Sequence, residues 1–248
     1  MNSQEYMQFY DRVGLLNGWD FSQVRCISEG VKWNFYDEVM QNCKASDILL
    51  DIGTGGGENL LSMASSAALL IGVDLSHAMV ETARRNMQKA AASNVRFMQM
   101  DAQSLQFPES FFNVVSCHHS PFCASEAARV LTGDGVFLTQ QVRECDKTNL
   151  AQAFGRGQST REDGALLDQY MKELRHAGFQ DIEYVEYDAV EYYEREEDLL
   201  FLLMHTPIIP GFGREEADFR TLQQFIRDYR TDQGIQTNSA RFMIVARK

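Results

Sequence analysis

The chain of 248 residues is short of the features that would divide it, anchor it or staple it. Only four prolines occur, and no Gly/Ser-rich or Pro-rich stretch and no internal repeat interrupts the sequence, so one domain without linkers is expected. No apolar run approaches the roughly 20 residues that cross a bilayer, which excludes a spanning helix. The opening MNSQEYMQFYDRVG has neither the basic start nor the apolar stretch of a secretory leader. Five cysteines (Cys26, Cys43, Cys117, Cys123, Cys145) form no C-x-x-C pair and are odd in number. A disulfide framework is therefore not expected, and a reducing, cytoplasmic setting is. Positive charge is also scarce: 23 Lys and Arg face 35 Asp and Glu, a net charge of −12. Such a surface repels a phosphate backbone, so neither nucleic acid nor membrane is an expected partner. Hydrophobic residues at 44% and charged residues at 23% are ordinary for a chain that buries a sizeable core.

What is present is a rhythm. Between Ser46 and Gln141 short apolar runs alternate with helical patterns. Strands are expected at Ile48–Ile52, Leu69–Asp74, Val95–Asp101, Val114–Cys117 and Gly135–Gln141, with helices at Gly57–Ser66, Ala78–Ala92 and Ala124–Leu131. Alternation of this kind implies parallel strands with helices on both faces, a Rossmann-like doubly wound α/β sheet. An amphipathic helix at Ala165–Ala177 stops at Gly178, a strand follows at Gln180–Tyr187, and a last strand is expected at Ser239–Arg247. The flanks differ from this core. Residues 1–45 read as a helical cap rich in aromatics, 46–187 as the ligand-binding core, 188–235 as a helical insert or lid, and 236–248 as the final strand.

The stretch ILLDIGTGGGENLL, Ile48–Leu61, carries the chemistry. Gly53 and Gly55 let the backbone turn tightly and approach a ligand, and Gly57 allows close helix–strand packing. Asp74 ends the second apolar run, where a ribose-binding carboxylate sits in dinucleotide sites. Yet the turn reads G-T-G-G-G rather than G-x-G-x-x-G, and Asp51 and Glu58 flank it. Two carboxylates oppose a pyrophosphate, whereas they tolerate a ligand that carries an ammonium and a sulfonium. Asp101, followed by Ala102, suits an adenine amino group that needs an acceptor. A nicotinamide-dependent oxidoreductase is thus the disfavoured reading of this turn.

Here the chain resembles the class I S-adenosylmethionine-dependent methyltransferases, in particular the small-molecule group that includes the ubiquinone/menaquinone-biosynthesis type. LLDIGTGGG, GVDLSHAMVETARRN, VRFMQMDAQSLQFPESFFNVV and ARVLTGDGVFLTQQV match that family's motifs in order over Ser46–Val142. The resemblance implies a seven-stranded sheet whose last strand runs antiparallel, and S-adenosylmethionine as cofactor. It implies that Asp51, Gly53, Thr54 and Gly55 surround the methionine part and that Asp74 accepts the ribose hydroxyls. Leu75 and Met79 would lie on the adenine face, Asp101 and Ala102 at the adenine edge, and Cys117 and His118 beneath the methyl group. Asn113 replaces the usual Asp, and TGDG the usual K-P-G-G; neither is an expected cofactor contact.

The segment CHHSPFC, Cys117–Cys123, follows the fourth strand. Its spacing fits no common zinc pattern, so no metal is expected. His119 acting as a general base on a hydroxyl acceptor and both histidines merely shaping the pocket remain as readings. Strand alternation places His118 and His119 on different sides, His119 nearer the acceptor. His77 and His176 read as a solvated helix start and a helix end. The N-terminal aromatics read mostly as core, with Tyr10 and Trp19 placed to close the site, while Phe201, Met204 and residues 206–212 supply a roof over the acceptor. The expected partner is a small or medium organic acceptor, the expected state a monomer or homodimer. A protein that binds S-adenosylmethionine without catalysis is the other reading.

Overall fold

A computed structural model describes residues 24–248. The expectations for Tyr10 and Trp19, and for the other aromatics before residue 24, lie outside the described residues. Strands β1 (Cys26–Glu29), β2 (Ile48–Ile52), β3 (Leu69–Asp74), β4 (Val95–Gln99), β5 (Phe112–His118), β6 (Leu131–Val142), β7 (Asp181–Tyr193), β8 (Arg230–Thr231) and β9 (Gly234–Arg247) form one sheet. Its order is β1-β7-β9-β6-β5-β2-β3-β4, with β8 pairing only β9. The pairs β2–β3, β2–β5, β3–β4 and β5–β6 are parallel, and β9 runs antiparallel to β6 and to β7. The sheet thus has nine strands where seven were expected: β2 to β7 and the antiparallel last strand β9 are the expected ones, and β1 and β8 are additional.

Each helix follows from its sequence. Helices α1 (Phe35–Gln41), α2 (Glu58–Ser62) and α3 (His77–Ala90) cover one face, while α4 (Ala124–Val130) and α6 (Ala165–His176) cover the other; α5 (Thr148–Phe154) lies between them in the chain. Ser76 caps α3 by accepting from the Met79 N–H, and α6 ends before Gly178, whose φ of +98° favours glycine. The central parallel strands β2, β3 and β5 are buried on both sides because both faces are covered, whereas the edge strand β4 leaves Arg96, Met98 and Gln99 exposed. Leu50 and Ile52 of β2 pack with α4 and α6, and Leu49, one residue before them, packs with α1, α2 and α3.

Two additions lie at the β7–β9 edge. The strand β7 continues to Tyr193 and β9 begins at Gly234, so the pair extends well past the core. Its free edge at Val190–Tyr193 is taken up by Cys26–Glu29. Residues 1–45 are thus not wholly helical, because an extended edge with unpaired backbone groups recruits this segment as a strand. The insert is correspondingly shorter than expected, residues 194–233, and holds α7 (Glu196–His205) and α8 (Glu216–Tyr229). It has a core of its own in which Leu199, Leu203, Leu222, Phe225 and Ile226 pack on Leu150, Tyr193 and Ile235. Among the described residues no helix is long and apolar enough to cross a membrane.

Candidate active site

The glycine turn between β2 and α2 is held by the neighbouring strand. Gly53 N–H and Thr54 N–H both donate to the Val73 carbonyl, at 2.8 and 3.0 Å. Gly53 has φ +73°, and a Cβ there would fall 2.3 Å from the Ser120 side chain. Only glycine therefore lets the turn meet the end of β5. Asp51 precedes the turn, buried, and accepts the Ser116 hydroxyl at 2.7 Å. Burial pushes its pKa up to about 6, against the pull of that hydrogen bond. The nearby Thr54 hydroxyl is buried and has no hydrogen-bond partner among the described residues.

At the next strand end, Asp74 bridges two loops. Its Oδ2 accepts from Gly55 N–H and its Oδ1 from Ser76 N–H, both at 2.9 Å. Beside it Leu75 stays 45% exposed, an apolar surface a flat ring could cover, whereas Met79 is 2% exposed and lies under the surface. Of the two expected adenine-face residues, only Leu75 presents its side chain. The strand β4 ends at Gln99, so Asp101 sits in the following turn, accepting from Gln103 N–H at 2.8 Å, with Ala102 half-buried beside it. Cys117 is fully buried among the α4–α6 layer and donates to the Ser120 carbonyl at 3.1 Å. Burial pushes its thiol pKa far up. It is a core residue that braces the turn after β5, not an exposed contact. Asn113 accepts the Ile48 N–H at 3.0 Å, a framework role that needs only an acceptor oxygen.

His118 and His119 do not diverge. The strand ends at His118, and His119 has φ +55°, a left-handed conformation that breaks the alternation. The rings therefore stack at 3.9 Å on one side of the sheet, with His118 also stacked on Phe35 at 5.0 Å. A hydrogen-bond chain sets their protons. Trp33 Nε1–H is donor only and reaches Gln140 Oε1 at 2.7 Å, which turns the Gln140 amide nitrogen toward both imidazoles. That nitrogen lies 2.9 Å from His118 Nε2 and 3.0 Å from His119 Nε2, so both Nε2 atoms are acceptors and the ring protons sit on Nδ1. His118 Nδ1–H then donates to the Tyr36 hydroxyl at 3.0 Å. Burial, and then the Arg241 charge, push His118 down to about 3. Burial, the neighbouring His118 and Arg241 hold His119 well below the imidazole range. The expectation of His119 as a general base near neutrality is thus corrected: its lone pair is engaged by Gln140 and its basicity is suppressed. What it offers is the Nδ1–H, which has no protein partner among the described residues.

His119 lines a cavity of about 330 Å³ roofed by Leu202, Thr206, Pro207 and Ile208 of the insert. The expected roof residues 206–208 are in place; Met204 points outward, 46% exposed, and Phe201 stacks on His205. Asp146, Lys147, Glu191 and Arg241 line the same cavity. Lys147 pairs with Glu191 at 2.5 Å and Arg241 with Asp146 at 2.6 Å. Sequence reasoning missed these four, as it missed Trp33, Tyr36 and Gln140 as site residues. A signal was available: Gln140 and Arg241 are large polar residues close to the apolar runs Val136–Leu138 and Phe242–Val245 of two paired central strands.

A family profile described as a methyltransferase domain matches residues 49–135. By sequence the chain is similar to the uncharacterized methyltransferase YcgJ of Bacillus subtilis (strain 168), 39% identical over 103 residues, which are 39% of this chain and 41% of YcgJ. It is similar to 27-O-demethylrifamycin SV methyltransferase of Amycolatopsis mediterranei, 32% identical over 55% of each chain. A shorter stretch, 34% of each chain, is 28% identical to the ubiquinone/menaquinone biosynthesis C-methyltransferase UbiE of Ectopseudomonas mendocina. The matches thus span about half or less of these curated relatives. The crystal structure of YcgJ shares the fold, with a TM-score of 0.64 at 22% identity over 86% of this chain and 97% of that one. From the glycine turn through the strands around it, residues 49–135, this chain is similar to methyltransferase domains, and it shares the fold of the YcgJ structure.

Proposed function

We propose that the protein transfers a methyl group from S-adenosylmethionine to a small or medium organic acceptor held in the cavity under the insert. The observation that carries this reading is one continuous arrangement. The glycine turn and Asp51 stand at one end, and the His118–Gln140–His119 chain leads to a roofed cavity at the other. The residues fit the cofactor. The turn around Gly53, Thr54 and Gly55 takes the methionine part, with the unpartnered Thr54 hydroxyl available to it. Asp74 accepts the ribose hydroxyls, Leu75 covers the adenine, and Asp101 and Ala102 meet its edge.

S-adenosylmethionine supplies an electrophilic sulfonium methyl, so the protein's task is to align, desolvate and exclude water. Asp51, buried and anionic at neutral pH, complements the positive end of the cofactor. The stacked pair His118 and His119 gives a neutral, rigid wall, so no cation from it opposes the sulfonium. His119 Nδ1–H orients the acceptor by donation. Residues 206–208 close the cavity from above.

A thermal-shift and calorimetry panel with S-adenosylmethionine, S-adenosylhomocysteine, NAD and NADP tests the reading. Stabilisation by the first two alone is expected through linkage. Stabilisation by the nicotinamides alone would overturn it. His119→Ala is expected to slow transfer while leaving S-adenosylhomocysteine affinity intact.

A further inference from the structure

The four charged residues of the cavity are not equally engaged. Lys147 Nζ has Glu191 Oε2 and the Asn238 carbonyl as partners, and Tyr193 donates to the same Glu191 oxygen at 2.8 Å. Asp146 Oδ1 receives Arg241 and the Ala240 N–H. Arg241 differs. Among the described residues its hydrogen bonds run only through Nη1, to Asp146 and to the Ala240 carbonyl at 2.8 Å. Its Nε and Nη2 have no protein partner among the described residues, and neither is sealed from the cavity. The side chain itself is only 14% exposed. The chain thus buries a guanidinium, satisfies one nitrogen of the fork, and leaves the other edge facing a cavity that His119 Nδ1–H also faces.

A guanidinium edge with two parallel N–H groups matches a planar carboxylate, which accepts two bonds side by side. We propose that the acceptor carries a carboxylate, docked on the Nε/Nη2 edge of Arg241, which holds the methyl-accepting part toward His119. This rests on the reading of the cavity as the acceptor site. A single negative charge suits the place better than a phosphate dianion. Asp146 and Glu191 already balance Arg241 and Lys147, and a second added charge would meet both carboxylates. An amine is the opposite case, because it would have to compete for Glu191 against Lys147 and approach Arg241.

The test is a titration of the full chain, with and without saturating S-adenosylhomocysteine. The probes are phenylacetate, phenylpropionate and phenylbutyrate, beside the matching amides, amines and phenylphosphonate. At least one carboxylate is expected to bind about tenfold or more tightly than its amide, the worth of a charge-assisted hydrogen bond. Arg241→Gln is expected to bind acid and amide alike while its S-adenosylhomocysteine affinity is unchanged. Should that variant not fold, the double variant Arg241→Gln/Asp146→Asn replaces the ion pair by a neutral one and carries the same expectation. Equal binding of acid and amide by the native chain, preference for the amine or the phosphonate, failure of every carboxylate to bind, or a preference that survives loss of Arg241 would each overturn the proposal. Failure of S-adenosylhomocysteine to bind would instead overturn the methyltransferase reading, and the carboxylate preference would still be read in its absence.

Discussion

The two ends of the proposed site, one for the cofactor and one for the acceptor, are built in opposite ways. At the cofactor end the working groups come from short stretches of chain: Asp51 to Gly55 in one turn, and Asp74 to Ser76 in the next, joined by bonds such as Gly55 N–H to Asp74. At the acceptor end nearly every contact joins distant segments. Arg241 meets Asp146, Lys147 meets Glu191, and Trp33 reaches Gln140. The first end depends on backbone conformation, which glycine specifies locally. The second depends on side chains brought together by strand order. A fold that serves many acceptors can therefore keep one end and vary the other.

The largest expected effect is at the turn. Gly53→Ala places a methyl group against Ser120 and forces alanine to φ +73°, so the turn must move. S-adenosylhomocysteine affinity should fall by more than about a hundredfold, about 2.7 kcal/mol, in a variant that still folds by circular dichroism. Affinity within threefold of the native value would detach cofactor binding from this turn.

Next comes acidification, which acts on the histidine end. His118 is held at about 3 in the folded protein, and His119 lies well below its ordinary value. Their folded-state pKa values are depressed, so the native state resists protonation. Their full contribution is present above the unfolded value near 6.5 and is lost as pH falls toward the folded value. Asp51 works the other way. Its pKa is raised to about 6, so its burial becomes less costly as pH falls from 6 toward 4. Two histidines outweigh one carboxylate, and stability should drop on the order of 2 kcal/mol between pH 7 and 5. Denaturant unfolding across that range measures it, and a His118→Gln/His119→Gln protein should reverse the sign. An unchanged midpoint in the native protein would mean that the imidazoles are not held neutral.

These two regions also mark how far the sequence could be read. The seven core strands and the glycine turn were legible because each signal is local: apolar runs and glycine density. The divergence expected of His118 and His119 failed because one left-handed residue ends the strand, and nothing in CHHSPFC announces it. Met79 and Cys117 read as contacts from their place in the motifs, yet they are core, since motif position fixes a backbone site and not the depth of a side chain. The extra strand Cys26–Glu29 depended on an edge made by residues some 160 positions away. Arg241, Lys147 and Trp33 needed the sheet order before their partners could be known.

A smaller effect separates charge from geometry at Asp74. Asp74→Asn keeps one acceptor oxygen but turns an NH₂ group toward either Gly55 N–H or Ser76 N–H, where an acceptor stood. The loss of one charge-assisted bond to a ribose hydroxyl, with a loosened turn, should weaken S-adenosylhomocysteine about tenfold. Calorimetry decides it, and full affinity in the folded variant would remove Asp74 from the ribose.

The smallest effect expected, and the most specific, is at the junction of the two ends. Gln140 now donates to both Nε2 atoms while its oxygen accepts from Trp33. Gln140→Glu keeps the size and still accepts from Trp33 Nε1–H, but a carboxylate cannot donate. The imidazoles must then present Nε2–H to it, which shifts their protons and favours the charged ring beside an anion. Both histidines should titrate closer to the ordinary imidazole range, as read by NMR, and the acid loss of stability should shrink. Turnover should fall only a few-fold above that range, because the wall stays in place, and decline further below it as a cation develops near the sulfonium site. Cofactor affinity at high pH should be unaltered, which distinguishes tautomer control from general damage to the fold. If His118 and His119 titrate as in the native protein, Gln140 does not set their protons, and the two ends of the site are coupled by packing alone.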